Sequence, residues 1–391
     1  MTGIVVVGAG TAGCVIAAGL SARADVHVTL IEAGPDLRPG DAAAGVRSAS
    51  FFDALAEPGR TWPSEYAQGR GVGGSSAVNG MVATTPAHDL IQRWGLGEIA
   101  PLGRLATDAE HGPMDRALLA AEPAARPVAL TLVDGARQTV ADVHLEPMRV
   151  ADRLQVVTGS PVARVVVDHG RATGVVLVDG TTVGADTVVV SAGAIHSPAV
   201  LVRSCVDLGA IEVFDHPSIT LHVDLHPHVE VDVHGPVASS VLRGDGVEIV
   251  PINHDGPDRP GRAAMLAALM RPEGMGRIDV TEDPEAEPSV QFSWTTADLA
   301  RLGAAEEVMR ELLARPAFAD VVSDVDATAD AGGYFHACGS CRHVVDRNGA
   351  VNGVDGLFVC DASTFPELPP TGPMVATIAW AQRFADRLAL G

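Results

Sequence analysis

Ile4–Val7 is a short apolar run that leads straight into Gly8-Ala9-Gly10-Thr11-Ala12-Gly13. An Ala-rich stretch follows, then a second apolar run (Val26–Ile31) and an acid, Glu32. Strand, glycine turn, helix, strand and carboxylate in this order commit the start of the chain to a βαβ unit and supply the parts of a dinucleotide site. Gly8 permits the tight turn, Gly10 lets backbone approach a pyrophosphate, and Gly13 lets the helix pack close on the strand. Thr11 and Ala12 open that helix, whose free N–H groups and positive dipole end suit phosphates. Glu32 can accept hydrogen bonds from a ribose. Taken alone, the turn is open to NAD and to FAD.

The 391 residues allow one large or two ordinary domains, and 47% hydrophobic content supports a sizeable core. A formal net charge of −22 with no run of Lys or Arg argues against nucleic acid and anionic lipid as partners. Five cysteines (Cys14, Cys205, Cys338, Cys341, Cys360) suit a reducing compartment without a disulfide framework. Cys338-Gly-Ser-Cys341 is formally CxxC but lacks a second pair, so no metal site is expected. No apolar stretch is long enough for a transmembrane segment. The early first strand leaves no room for a signal peptide, so the expected location is cytoplasmic.

Residues 35–68, with Pro35, Pro39, Pro58 and Pro63, read as irregular loop. Gly69-Arg70-Gly71-Val72-Gly73-Gly74-Ser75-Ser76-Ala77-Val78-Asn79-Gly80-Met81 follows, and suits a backbone N–H cradle beside a phosphate or ring system. One helix is expected near Met114–Glu122, and strands at Leu154–Thr158, Ala163–Val167 and Gly174–Val178, with a hairpin turn at Asp168–Gly170. Thr187–Val190 reads as a buried strand, followed by a small-residue turn and a helix over Ala199–Arg203. Alternation at Thr220–Asp224, Val229–Val233, Val247–Ile252 and Ala263–Met270 predicts an antiparallel sheet with one wet face. Residues 298–316 read as an amphipathic helix ending at Pro316. Residues 325–350 read as loop, Gly356–Cys360 as a strand, and a last helix begins near Pro373. The fold class is α/β: a Rossmann-like dinucleotide-binding domain with an inserted antiparallel-sheet substrate domain (α+β). The expected boundaries are 1–90, 150–214 and 337–391 for the first, discontinuous domain, and 91–149 with 215–336 for the cap.

Four blocks together resemble the glucose–methanol–choline (GMC) family of flavin oxidoreductases. They are Gly8–Gly13 with Glu32; Gly69–Met81, ending in Asn-x-Met; Val188-Val-Val-Ser-Ala-Gly-Ala-Ile-His-Ser-Pro198; and Tyr334-Phe-His-Ala-Cys-Gly-Ser-Cys-Arg342 through Cys360-Asp-Ala-Ser363 to the final helix. The resemblance implies FAD. It assigns Gly8, Gly10 and Gly13 to the pyrophosphate, Glu32 to the ribose and Val162 to the adenine. Ala192 and Gly193 fall on the adenosine side. Arg70, Gly73, Gly74, Ser75, Asn79 and Met81 fall in the pyrophosphate and isoalloxazine region, and Asp361, Ala362, Pro373 and Met374 near the ribityl chain and flavin. Some relatives attach FAD through a His just before the signature Asn; that position is Val78 here, which implies non-covalent FAD. His336 matches the catalytic His, a general base suited to taking an alcohol proton while hydride leaves for flavin N5. His196, His216 and His343 carry weaker claims.

Two departures bear on function. The family's second His or Asn aligns with Gly372, leaving Thr371 and Glu367 as nearby polar candidates. The helix start at Gly372–Val375 could still stabilise charge on the flavin. The chain is also shorter than is usual in the family, which implies a smaller cap over the substrate. The expected reaction is oxidation of a small-molecule alcohol (CH–OH) to a carbonyl, with an external electron acceptor in prospect. The alternatives are a non-redox flavoprotein lyase or isomerase on the same fold, a flavin-binding module without activity, or a dehydrogenase of the mycofactocin-associated branch, which the Gly372-Pro373 pair also resembles.

Overall fold

The computed structural model describes residues 2–36, 38 and 44–388. β1 (Thr2–Val7), β2 (Val26–Ile31), β3 (Leu154–Val157) and β4 (Thr187–Val190) form a parallel sheet, completed beside β4 by the strand Leu357–Val359. Val5 of β1 pairs with Thr29 on one side and Val188 on the other. Val6 packs into the layer that holds Ile16 and Leu20, while Val5 and Val7 pack into the opposite layer with Val165 and Val175. Both faces are covered, which is why β1 reads as an unbroken apolar run rather than an alternating one. α1 (Thr11–Ser21) follows the first glycine turn.

α2 runs over Gly193–Arg203, six residues earlier than the expected Ala199 start, and it contains Pro198. Proline supplies no N–H to the carbonyl four residues back. That carbonyl, on Ala194, instead accepts a hydrogen bond from the Ser340 hydroxyl at 2.5 Å. A partner 146 residues away in sequence thus permits a helix that runs through Pro198, where a turn was expected.

The second sheet is antiparallel and seven-stranded. Its centre is β5 (Pro217–Leu225), β6 (Ser240–Gly244), β7 (Val247–Ile252) and β8 (Arg262–Leu269), in the spatial order β5-β8-β7-β6. Alternate residues point to opposite faces. Leu221, Val223, Met265, Ala267 and Leu269 pack with Leu302, Met309 and Leu312 of α3 (Thr296–Leu313). The alternates Thr220, His222, Ala264 and Leu266 face a cavity. Three expectations are corrected in this region. Val229–Val233 is not a strand; β5 already pairs with β8 on one side and with Val322–Val325 and Asp330–Gly333 on the other, so no edge is free for it. Those two short strands lie partly inside the stretch read as loop, where exposed, non-alternating residues leave no apolar pattern. α3 stops at Leu313, and Pro316 opens a separate short helix, Pro316–Ala319.

α4 (Met374–Leu388) closes the fold against α1. A Cβ on Gly19 would stand 3.1 Å from that of Ala385, so the two helices approach closely. Residues 35–68 contain two short helices, Ala44–Arg47 and Phe51–Ala56, where only loop was expected; Pro39 lies outside the described residues. Among the described residues, no helix is long and apolar enough to cross a membrane.

Candidate active site

The four blocks converge on one cavity of about 580 Å³, within the range of small-molecule sites. Its floor is glycine backbone. A Cβ on Gly8 would stand 2.6 Å from Ser191 O, and one on Gly13 only 1.8 Å from Gly8 O. A Cβ on Gly74 would lie 2.7 Å from the Gly10 Cα, and the Gly73 N–H donates to Ala9 O at 2.8 Å. The two glycine turns therefore abut with no side chain between them. At Gly10 and Gly193, which line the cavity, an added Cβ would meet no atom of the described residues within 4 Å. No side chain caps the α1 N-terminus beside Gly10.

Glu32 is buried and ties these turns together. Its Oε2 accepts the N–H of Ala9 at 2.7 Å, and its Oε1 accepts those of Gly34 at 2.8 Å and Gly71 at 2.9 Å. A carboxylate has about four acceptor positions, so the donors among the described residues leave one open on a residue that lines the cavity. Asp361 plays the same part for the third and fourth blocks. It accepts from the Gly193 N–H at 2.8 Å, the Ser197 hydroxyl at 2.5 Å and the Ser363 N–H at 2.7 Å. Burial raises its pKa above the usual carboxylate value.

At the opposite end the cavity meets Asn79, Met374 and His336. The Asn79 amide donates to Met374 Sδ at 3.3 Å, and its Oδ1 accepts the Met81 N–H at 3.0 Å. His336 follows Phe335, whose φ of 59° lies in the left-handed region. The His336 N–H donates to Asp215 Oδ1 at 2.8 Å, and its Nδ1 lies 3.0 Å from His216 Nδ1. Among the described residues, no protein group hydrogen-bonds its Nε2. Burial lowers its pKa to about 4, so the ring is neutral at pH 7. A Cβ on Gly372 would stand 3.6 Å from this Nε2.

Of the residues assigned to the cofactor, Gly8, Gly10, Thr11, Ala12 and Glu32 line the cavity, as do Gly74, Ser75, Asn79 and Val162. So do Ala192, Gly193, Asp361, Ala362, Pro373 and Met374. Four of the anticipated residues do not. Gly13 is packed under Gly8, Gly73 holds Ala9, and Met81 is buried in an apolar cluster with Leu130. Arg70 donates to Ala33 O at 2.9 Å and lies over the Trp62 ring. Neither polar candidate for the Gly372 position reaches the cavity. Glu367 is exposed and pairs with Arg93 at 2.9 Å, and Thr371 is buried away from the lining. His343 is exposed elsewhere, while His196 lines the cavity, stacked 4.0 Å from Trp62.

Several site residues had not been singled out. Phe51, Phe52 and Trp62 line the cavity from the stretch read as loop. Arg137 is 1% exposed and donates to Asn79 O at 2.5 Å and Oδ1 at 2.9 Å. It is delivered by a tight hairpin whose Asp134 and Gly135 both have positive φ, and Asp-Gly is a legible signal for such a turn. Burial pushes its pKa down to about 10.

The comparisons with known proteins bear on the family and the fold. The GMC oxidoreductase N- and C-terminal family models match residues 128–228 and 272–381. A lycopene cyclase protein model matches residues 3–57, the glycine-turn segment. An uncharacterised GMC-type oxidoreductase of Rhodococcus erythropolis is 28% identical, over 99% of this chain and 98% of its own. That alignment runs over 491 positions, so the relative carries segments that these 391 residues lack. An oxygen-dependent choline dehydrogenase of Burkholderia pseudomallei is 25% identical, over 98% of this chain and 93% of its own. Among solved structures, pyridoxine 4-oxidase from Mesorbium loti superposes over both whole chains with a TM-score of 0.87 at 23% identity. A variant of Aspergillus oryzae formate oxidase covers this chain fully, with 98% of its own, at TM-score 0.84 and 16% identity. The chain belongs to the GMC oxidoreductase family. It is an FAD-dependent oxidoreductase. The side-chain-free cradle, the uncapped helix N-terminus and the open acceptor position on Glu32 fit that cofactor.

Proposed function

We propose that this protein oxidises an alcohol to a carbonyl, with His336 as the general base. The observation that supports this reading is the Nε2 of His336: on a neutral ring, without a hydrogen-bond partner among the described residues, and at the wall of the cavity that Asn79 and the start of α4 also line. Gly10, Thr11 and Ala12 would hold the pyrophosphate of FAD through backbone N–H groups, and Glu32 the ribose. Bound FAD supplies the acceptor for the hydride that leaves the carbinol carbon. His336 Nε2 takes the hydroxyl proton, and the two losses together leave C=O. Asn79 and Met374 position the reacting end, and the N–H groups at the start of α4 favour negative charge beside it. The substrate chamber is mainly apolar, walled by Val250, Ile252, Ala264 and Leu266. Thr220, His222 and Glu248, the last approached by the Tyr334 hydroxyl at 3.5 Å, add polar groups to this wall. The chamber suits an alcohol with an apolar body.

The test is anaerobic mixing of the FAD-loaded enzyme with a panel of alcohols, reading the flavin absorbance. Bleaching by at least one alcohol is expected, and readmitted O₂ then separates an oxidase from a dehydrogenase. His336→Ala should keep FAD and slow bleaching roughly 10²-fold or more. A panel that never bleaches the flavin, or an unchanged rate in His336→Ala, overturns the reading.

A further inference from the structure

The base has a buried partner on its far side. His216 is fully buried at the start of β5, with its ring plane at 87° to that of His336 and the two Nδ1 atoms 3.0 Å apart. Its Nε2 lies 3.1 Å from the carbonyl oxygen of Pro369. A carbonyl can only accept, so His216 Nε2 carries a proton. Burial and the neighbouring His336 both oppose a second proton on this ring. His216 is thus neutral, and its Nδ1 is an acceptor. The 3.0 Å contact then requires the proton on Nδ1 of His336. The Nε2 of His336 is left as the bare lone pair, on the cavity side.

The backbone around this contact is equally constrained. Asp215 is fully buried. Its Oδ1 accepts the N–H groups of both His216 at 2.7 Å and His336 at 2.8 Å. Its Oδ2 accepts the Tyr66 hydroxyl proton at 2.8 Å, and the Tyr66 oxygen accepts the Ala337 N–H at 2.9 Å. One carboxylate therefore holds both histidine backbones at a fixed separation.

We propose that His216 is a positioning residue, anchored by Pro369, that locks His336 in its Nδ1–H tautomer and so aims an unprotonated Nε2 at the substrate hydroxyl. This rests on the reading of His336 as the base. When the alcohol proton reaches Nε2, the Nδ1–H···Nδ1 bond becomes charge-assisted and stabilises the imidazolium. His216 keeps its own proton throughout. A base held in the wrong tautomer can lose several orders of magnitude in rate.

The experiment combines ¹⁵N-histidine NMR of the FAD-loaded and FAD-free protein with flavin reduction kinetics. Wild-type protein should show His336 protonated at Nδ1 and bare at Nε2, with the reverse for His216. His216→Leu removes the acceptor at similar bulk. It should let the His336 proton redistribute to Nε2 and slow flavin reduction at least tenfold, with substrate affinity within about twofold. His216→Asn places an oxygen where Nδ1 stood and should restore the tautomer and most of the rate. His216→Gln, polar only near Pro369, should not. If the Leu variant fails to fold, the Asn and Gln pair decides. A wild-type His336 protonated at Nε2, or equal rates in the Asn and Gln variants, overturns the proposal. If no alcohol bleaches any variant, alcohol oxidation fails while the NMR still reads the tautomer.

Discussion

Gly10→Ala separates folding from cofactor binding. At Gly10 the backbone has φ −74° and ψ −166°, which alanine adopts without strain, and the new Cβ would meet no atom of the described residues within 4 Å. Alanine is a poorer helix cap than glycine, worth up to about 1 kcal/mol, but it restricts the unfolded chain by about 0.4–1 kcal/mol. These offset, so the FAD-free variant should melt within about 2 °C of wild type. The methyl group instead enters the space where the backbone meets a pyrophosphate. Displacing one phosphate oxygen from a helix N–H forfeits a charge-assisted hydrogen bond of about 1.5–3 kcal/mol, roughly 10- to 150-fold in affinity. Titrating FAD into the FAD-free protein, with flavin fluorescence as readout, measures this directly. Gly13→Ala is the contrast: its Cβ would stand 1.8 Å from Gly8 O, so that variant should fail to fold rather than fail to bind. Unchanged FAD affinity in Gly10→Ala would refute the placement of the pyrophosphate. A large fall in the melting temperature of its FAD-free form would refute the steric argument.

The other predictions probe the rest of the site. Glu32→Gln leaves one oxygen for three N–H donors and turns an NH₂ toward another donor, so stability should fall by about 2–3 kcal/mol in chemical denaturation. Val78 offers no attachment atom, so acid precipitation should release all the flavin into the supernatant; flavin retained on the protein contradicts this. Gly372→Leu should keep FAD but slow flavin reduction by alcohols roughly 10²-fold, since its side chain would start 3.6 Å from His336 Nε2; an unchanged rate contradicts that access route. Burial raises the Asp215 pKa to about 6 from 3.8, so between these values the native state binds more protons than the unfolded chain, and acidification stabilises it. His336, lowered to about 4 from 6.5, acts in the opposite sense and loses stability over that range. Asp215→Asn removes the compensating group, worth about 3 kcal/mol, and should lose stability more steeply than wild type from pH 6 to pH 4.

What could be read from sequence was what is local. The turn Gly8–Gly13 carries its own strand, helix and glycine spacing within a few residues, and the structure places it as expected. The place of His336 at the cavity was legible because its neighbours form a block with the Cys-Gly-Ser-Cys-Arg run. The partners of these residues were not, because nothing local marks them. His216 sits just before β5, where a lone buried histidine carries no local pattern, and its meaning comes from a residue 120 positions later. Ser340 permits Pro198 inside α2 from 142 residues downstream of that proline, and no periodicity could show it. Trp62 and Phe51 line the cavity from a stretch whose prolines and glycines hide two short helices. Arg70, whose place in a glycine-rich block suggested a ligand contact, donates to the Ala33 carbonyl, lies over the Trp62 ring and falls outside the cavity lining.

Gly372 takes a different meaning once the histidines are placed. As a sequence position it is a missing side chain, a vacancy in a catalytic pair. In the fold it is clearance. A Cβ there would already be in van der Waals contact with both Cε1 and Nε2 of His336, so anything larger would lie across the one nitrogen left free. The second polar group is not absent but moved from the cavity side of the ring to the buried side, where His216 meets Nδ1. A partner beside Nε2 must compete with or share the substrate hydroxyl. A partner behind Nδ1 cannot touch substrate at all, and acts only on which nitrogen is bare. The consequence is a base whose proton inventory is set by the protein interior and whose open face is bounded by Gly372, Pro373, Asn79, Met374 and the chamber wall. Substrate discrimination then falls to that wall, to Val250, Ile252, Ala264 and Leu266 on the sheet, rather than to a second hydrogen bond at the reacting oxygen.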